Sequence, residues 1–339
     1  MTNADGNAIN RRLLLKSGLG LAAAGMGVAA TTAAAQPALA GGSGSRPLEP
    51  GERMIAVPGG KVWVNVVGTG RGVPLLTLHG GPGAGHDYLE PLASLGDDRQ
   101  VIFYDHLGCG RSDKPNDPAL WTLERSVAEV AAVRSALGLG KVHLFGHSFG
   151  GWLAIEYLLR RPRGVVSGVL ASTSGSTAEF VAGTKRLRAT LPRETQRTLD
   201  YYEARGDYTA PEYLAAVQVF YDNFLYRGKE LPDALLRTIA NLDGNQVYAT
   251  MNGPNEFVVT GNLAPWNRTS RLRELKLPFL LTRGRFDEFE VRCLDGLENR
   301  LPHSERAEFA NTAHFAWLED ERAYIATLRS YLRRQDKHC

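Results

Sequence analysis

One short motif constrains this chain more than any other stretch. Gly146-His147-Ser148-Phe149-Gly150-Gly151 follows a continuous apolar run, Val142 to Phe145, and leads into a helical pattern from Gly151 to Leu159. A serine flanked by glycines between a strand and a helix predicts a sharp turn: the glycines admit close backbone approach and the serine hydroxyl stays exposed at the sheet edge. Such a turn requires a strand buried in a sheet with helices packed against it.

The rest of the chain supplies that sheet. Val73 to Leu78, Val101 to Tyr104, Val165 to Leu170 and Pro278 to Thr282 are further apolar runs of parallel-strand length, and Arg306 to Phe309 reads as a short last strand. Met54 to Val57 and Lys61 to Val67, separated by Pro58-Gly59-Gly60, read as a hairpin ahead of them. Leu123 to Leu137 and Asp320 to Leu332 have helical spacing. The expected fold is α/β, a mostly parallel sheet covered by helices on both faces. Between residues 176 and 270 the alternation stops. Tyr213, Val217, Phe220, Tyr221 and Phe224 recur at helical spacing there, so this stretch is expected to be a helical cap above the carboxyl ends of the strands. The aromatic stripe reads first as a packing seam and only second as a substrate wall. The core is then 41–175 together with 271–339.

A serine hydroxyl needs a base, and the base needs an acid to fix its tautomer and stabilise the imidazolium. In a sheet of this kind the order along the chain is Ser, acid, His. Asp287, in Gly284-Arg285-Phe286-Asp287-Glu288, follows the strand ending at Thr282, and His314, in Asn311-Thr312-Ala313-His314-Phe315, follows the last strand. The competing acids are Glu288, Glu290 and Asp295; the competing base, His303, precedes the last strand instead of following it. His79-Gly80-Gly81-Pro82-Gly83, directly after Leu78, sits where a backbone N–H can meet a developing oxyanion. Gly81 and Phe149, the residue after the nucleophile, are the expected donors. The absence of a G-x-x-x-x-G-K pattern argues against a phosphate loop.

Taken together, His79-Gly80-Gly81-Pro82-Gly83, the run from Tyr104 to Asp113, the turn at Ser148 and Asn252-Gly253-Pro254-Asn255-Glu256-Phe257 resemble the proline iminopeptidase family of α/β-hydrolases, which includes tricorn-interacting aminopeptidases and L-amino acid amidases. The resemblance implies an α/β-hydrolase fold and a serine aminopeptidase or amidase. Such an enzyme uses no cofactor and no metal, and releases an N-terminal residue from small peptides or amino acid amides with a free amino group. It further implies that Glu256 and Glu288 hold that amine. His147, Phe149, His106 and Leu107 depart from the glycine or glutamine, tryptophan, glutamine and arginine common in strict proline enzymes, which points to the broader aminopeptidase and amidase branch. A carboxylesterase or lactonase with the same machinery is the alternative; a silent fold used for binding is a third reading.

The first forty residues read differently from the rest. Arg11-Arg12 and Lys16 precede an Ala/Gly-rich apolar run from Leu19 to about Ala30, and Ala38-Leu39-Ala40 resembles a cleavage site, so 1–40 is expected to be a twin-arginine-type signal peptide directing the protein to the periplasm or beyond. This leader accounts for much of the formal charge of +3, since Arg11, Arg12 and Lys16 stand against Asp5 alone. The remainder is nearly neutral, with no electrostatic footprint for nucleic acid or for stable membrane association after cleavage. Cys109, Cys293 and Cys339 are too few and scattered for a disulfide framework. Cys109 is assigned no catalytic role.

Overall fold

The computed structural model describes residues 47–337. The expected signal peptide and Cys339 lie outside them. Seven strands form one sheet: β1 (Gly51–Val57), β2 (Gly60–Leu78), β3 (Arg99–Tyr104), β4 (Val142–His147), β5 (Val165–Ala171), β6 (Phe279–Gly284) and β7 (Ser304–Phe309), in the order β1-β2-β4-β5-β6-β7 with β3 against β2. The pairings from β2 through β4, β5 and β6 to β7 are parallel, and β1 pairs antiparallel with β2.

The sequence reads Lys61 to Val67 and Val73 to Leu78 as separate strands, whereas the structure runs them together in β2. This long strand meets β3 twice. Residues 64–67 pair with it in descending order, Val64 opposite Tyr104 and Val67 opposite Val101, while Leu75 and Leu76 ascend alongside Val101 and Ile102. The reversal falls at Gly68, whose φ of 89° suits glycine and where an added Cβ would lie 2.4 Å from the Gly96 backbone. β3 therefore lies between the two arms of one folded strand.

Alternate residues of the central strands enter opposite cores, as the two-residue period of a strand requires. Leu144, Leu170 and Leu281 face one core with α1 (Leu123–Ala136) and α2 (Phe149–Leu159). Phe145, Val169 and Leu280 face the other. The five helices that follow β5 are α3 (Thr177–Arg188), α4 (Arg193–Glu203), α5 (Pro211–Phe224), α6 (Asp233–Leu242) and α7 (Gln246–Met251). Ser176 caps α3 by accepting the Glu179 N–H, in a Ser-x-x-Glu start. The two ends of this helical segment are stapled to each other, Ser176 bridging to Asn267 and Thr177 N–H donating to the Trp266 carbonyl. After β6 come α8 (Val291–Glu298), α9 (Ala316–Glu319) and α10 (Glu321–Asp336).

The last helix is locked by one carboxylate. Asp336 accepts from both terminal nitrogens of the fully buried Arg99 at 3.2 and 2.9 Å, and its Oδ1 lies 3.0 Å from His143 Nε2. Burial pushes this carboxyl up, but the bonds from His143 and Arg99 outweigh it and hold the group below the usual range. A carboxyl depressed on folding contributes stability above its unfolded value, and that contribution disappears as pH falls through the folded value. Asp336→Ala is expected to cost roughly 2 kcal/mol at pH 7 in urea unfolding. That is less than the loss on breaking a fully buried pair, because Asp336 is partly exposed and Arg99 keeps Asp98. The gap between variant and wild type should narrow as the pH is lowered through the depressed carboxyl value.

Candidate active site

Ser148 ends β4 and starts α2 with φ 55° and ψ −122°, a backbone conformation that a non-glycine residue rarely adopts. The flanking glycines are steric necessities. An added Cβ would sit 2.4 Å from the Gly150 carbonyl oxygen at Gly146, 2.0 Å from the Leu78 carbonyl oxygen at Gly150 and 2.6 Å from the Thr173 side chain at Gly151. Ser148 itself is held by its N–H to the Ala171 carbonyl and by Thr173 Oγ1 donating to its own carbonyl. Ser148 lines a cleft, partly open to solvent, together with Gly81, His314 and Glu256.

The sequence-expected acid and base meet. His314 Nδ1 lies 2.9 Å from Asp287 Oδ1, both groups being buried, and Asp287 Oδ1 also accepts the Phe289 N–H. The Ser148 hydroxyl makes no hydrogen bond to His314 in this structure; Nε2 of that ring lies 3.6 Å from Glu288 Oε1. Long contacts of this kind are common before a substrate is bound. The competing acids are engaged elsewhere, Glu290 with Arg186 and Asp295 with Arg306. His303 is exposed, ahead of β7.

The glycine loop after Leu78 is clamped at Gly80. Its N–H donates to Tyr88 Oη at 2.7 Å, and its carbonyl lies 2.9 Å from His79 Nδ1. The other nitrogen of His79 accepts the His106 N–H, and the two rings stack at 3.8 Å. Burial lowers the His79 imidazole to about 4, so it serves as a neutral strut. With the Gly80 N–H taken, the next donor in the loop is Gly81. The Phe149 N–H, at the first position of α2, has no intrahelical partner.

Glu256 and Glu288 both arrive beside this pair. Glu256 accepts from Tyr248 Oη at 2.8 Å and faces the cleft. Glu288 is fully buried, and neither of its carboxylate oxygens has a hydrogen-bond partner among the described residues. Burial raises both carboxyls; for Glu288 the neighbouring Glu256 and Asp287 charges push further in the same direction. A buried carboxylate without a partner is strongly disfavoured as an ion unless a cation comes to it.

The helical stripe divides. Tyr213, Val217 and Tyr221 wall the cleft, while Phe220 and Phe224 pack against one another within the apolar core. The packing reading holds for Phe220 and Phe224 and the substrate-wall reading for Tyr213, Val217 and Tyr221, because these two sets lie on adjacent faces of one helix. Cys109 is wholly buried, and burial pushes its thiol well up, away from nucleophilic thiolate chemistry. His86, Asp87 and Glu90 gather donor atoms within 4.8 Å, but Arg237 already bridges both carboxylates and Asp105 holds the histidine.

Sequence reasoning missed several supporting groups. Tyr88 and Ser172 bond to the site's backbone. Glu319 accepts the N–H groups of Ala313 and Arg227, tying the His314 loop to the segment after α5. The Phe224 and Leu225 carbonyls accept the N–H groups of Glu288 and His314. None of these lies in a motif; their partners come from distant parts of the chain.

A sequence profile described as alpha/beta hydrolase fold matches residues 73–321. A proline iminopeptidase of Heyndrickxia coagulans is 38% identical over 282 residues, covering 83% of this chain and 98% of that one. Among solved structures, a proline iminopeptidase from Mycobacterium smegmatis superimposes with a TM-score of 0.80 at 34% identity, covering 85% of this chain and 99% of the other. VinJ gives a TM-score of 0.81 at 31% identity, covering 85% and 100%.

Proposed function

From a chain that belongs to the proline iminopeptidase family of α/β-hydrolases, and is an enzyme of the prolyl aminopeptidase type, we infer a serine aminopeptidase or amino acid amidase in which Ser148 is the nucleophile. Ser148 attacks the carbonyl of the substrate's first residue while His314 takes its proton; the same histidine then protonates the leaving amine, and water hydrolyses the acyl-enzyme. Asp287 orients His314 and stabilises its imidazolium. Gly81 and Phe149 N–H groups receive the oxyanion.

The observation that carries the reading is the Glu288 carboxyl, buried and unpartnered 3.6 Å from the nitrogen of His314 that faces away from Asp287. In an amino acid the amino nitrogen and the carbonyl carbon are separated by only about 2.5 Å. A cation held between Glu288 and Glu256 therefore brings the first carbonyl of the chain, and no later one, to the reacting serine and histidine. That distance makes the enzyme an exopeptidase, and the apolar wall of Tyr213, Val217 and Tyr221 suits a proline or another small or apolar first residue.

The test is a panel on purified protein: prolyl and alanyl p-nitroanilides, their N-acetyl forms, and p-nitrophenyl acetate. Each charge-assisted hydrogen bond to the ammonium contributes about 1.5–3 kcal/mol, so acetylation should lower kcat/KM at least tenfold. Glu288→Gln should impose a similar loss on the free amines while sparing p-nitrophenyl acetate. Ser148→Ala should abolish turnover of all three. Acetylated amides turning over faster than free ones would replace this reading with the carboxylesterase or lactonase.

The pH dependence has a definite sign. Both carboxyls are raised, so on acidification they take up protons earlier than ordinary glutamates and lose their hold on a cation. KM for the free-amine substrates should rise as pH falls through that raised range, and KM for p-nitrophenyl acetate should not follow it.

Export by the twin-arginine-type leader is also proposed, on the strength of Arg11-Arg12, the apolar run and Ala38-Leu39-Ala40. Cell fractionation with N-terminal sequencing should find mature protein beginning at Gly41 outside the cytoplasm; an intact cytoplasmic chain would overturn it.

A further inference from the structure

Between the glycine loop and the His314 loop runs a single file of hydrogen bonds. The Gly80 N–H donates to Tyr88 Oη at 2.7 Å, Tyr88 Oη lies 2.9 Å from His147 Nδ1, and His147 Nε2 lies 3.1 Å from the His314 carbonyl oxygen. The ends of the file fix every proton in it. An amide N–H can only donate, so the phenol oxygen accepts there, and with the ring neutral and its proton on Nε2 the phenol hydrogen points to Nδ1. A carbonyl oxygen can only accept, so Nε2 carries the proton. Of the two neutral tautomers of His147, only Nε2–H satisfies both neighbours. The surroundings keep it so: the ring is buried, and burial together with the nearby His314 pushes its basicity far down. Burial likewise keeps the Tyr88 phenol protonated.

The members of the file are fixed from outside as well. Tyr88 is held by its N–H on Thr238 Oγ1 and by Trp317 Nε1 donating to its carbonyl. The His314 backbone is gripped on both sides, its N–H on the Leu225 carbonyl and its carbonyl by His147 and Ser172.

We propose that His147 is a positioning residue which, through Tyr88, sets the separation between the oxyanion-binding loop and the base His314. Its ring spans two loops that must each address the same substrate carbonyl from different sides. His147 exchanges no proton with substrate. The inference rests on the reading of His314 as base and Gly81 as oxyanion donor. It predicts effects on turnover, because misplacing either group by a fraction of an ångström acts on the transition state more than on binding.

Tyr88→Phe, His147→Leu, His147→Gln and the Tyr88→Phe/His147→Leu double variant test it. Each is assayed on prolyl p-nitroanilide and for the rate of Ser148 labelling by a fluorophosphonate, with thermal midpoint and near-ultraviolet circular dichroism as controls on folding. Tyr88→Phe removes one hydroxyl, and His147→Leu removes both ring nitrogens. Either should lower kcat and the labelling rate about tenfold, with KM within about threefold of wild type. His147→Gln keeps one amide donor and one acceptor and should recover most of the loss. The double variant should be no slower than the slower single, since both break one connection. Undiminished kcat in Tyr88→Phe, equal losses in the Leu and Gln variants, a loss confined to KM, or multiplying losses in the double variant would each overturn the proposal. Should His147→Leu fail to fold, Tyr88→Phe and His147→Gln decide. Because labelling does not need the amine site, failure of the aminopeptidase reading leaves this test intact. A wild-type chain that takes no label overturns both.

Discussion

The lack of room around Ser148 is the constraint from which the site follows. No side chain fits at Gly146, Gly150 or Gly151, so β4 and α2 come closer than any other residues would allow and Ser148 is left in a strained turn. Such a conformation costs on the order of 1–3 kcal/mol and persists only when its surroundings determine it fully. They do so here through the neighbouring strands: the Ser148 N–H is bound by the end of β5, its carbonyl by Thr173, and the Gly150 backbone lies against the Leu78 carbonyl at the end of β2. Parallel pairing of β2, β4, β5 and β6 brings the glycine loop, the serine and the Asp287 loop to one edge of the sheet.

The second layer of control is backbone gripping backbone. The end of α5 gives its Phe224 and Leu225 carbonyls to Glu288 and His314, and Glu319 closes the same junction from the other side. The helix that carries the cleft-lining Tyr213, Val217 and Tyr221 is thus fastened to the loops that carry Asp287 and His314. A shift of the helical segment would move the cleft wall and His314 together.

These two layers differ in how far the sequence disclosed them. The strand-turn-helix at Ser148 was legible because its cause is local: an apolar run, glycines where no Cβ fits, and helical spacing after them. Asp287 and His314 were legible because chain order and strand ends restrict the choice. The fold-back of β2 around β3 was not, since whether two apolar runs pair in one direction or both depends on the turn at Gly68 and its approach to Gly96, a contact made only in three dimensions. Tyr88 and Glu319 were invisible for the same reason. The cleft-facing half of the aromatic stripe could not be separated from the packing half, because periodicity reports which residues share a face and says nothing of what that face meets.

Carboxylates show where a structural charge ends and a recognition charge begins. Three other buried acids have a basic partner of their own: Asp105 has His86, Glu129 has Arg125, and Glu156 has Arg268, while Asp287 holds His314. Each such pair offsets its own desolvation within the protein, as a buried charge must. Glu256 and Glu288 have no lysine or arginine partner among the described residues, and Glu288 lacks even a neutral donor. A group so placed disfavours its ionised form unless a cation from outside the chain reaches it. Overall charge is almost balanced, so long-range attraction contributes little, and a positive charge for this pair has to come from the cleft that Glu256 lines. Under the proposed function a substrate ammonium supplies it, within reach of the histidine that Asp287 holds.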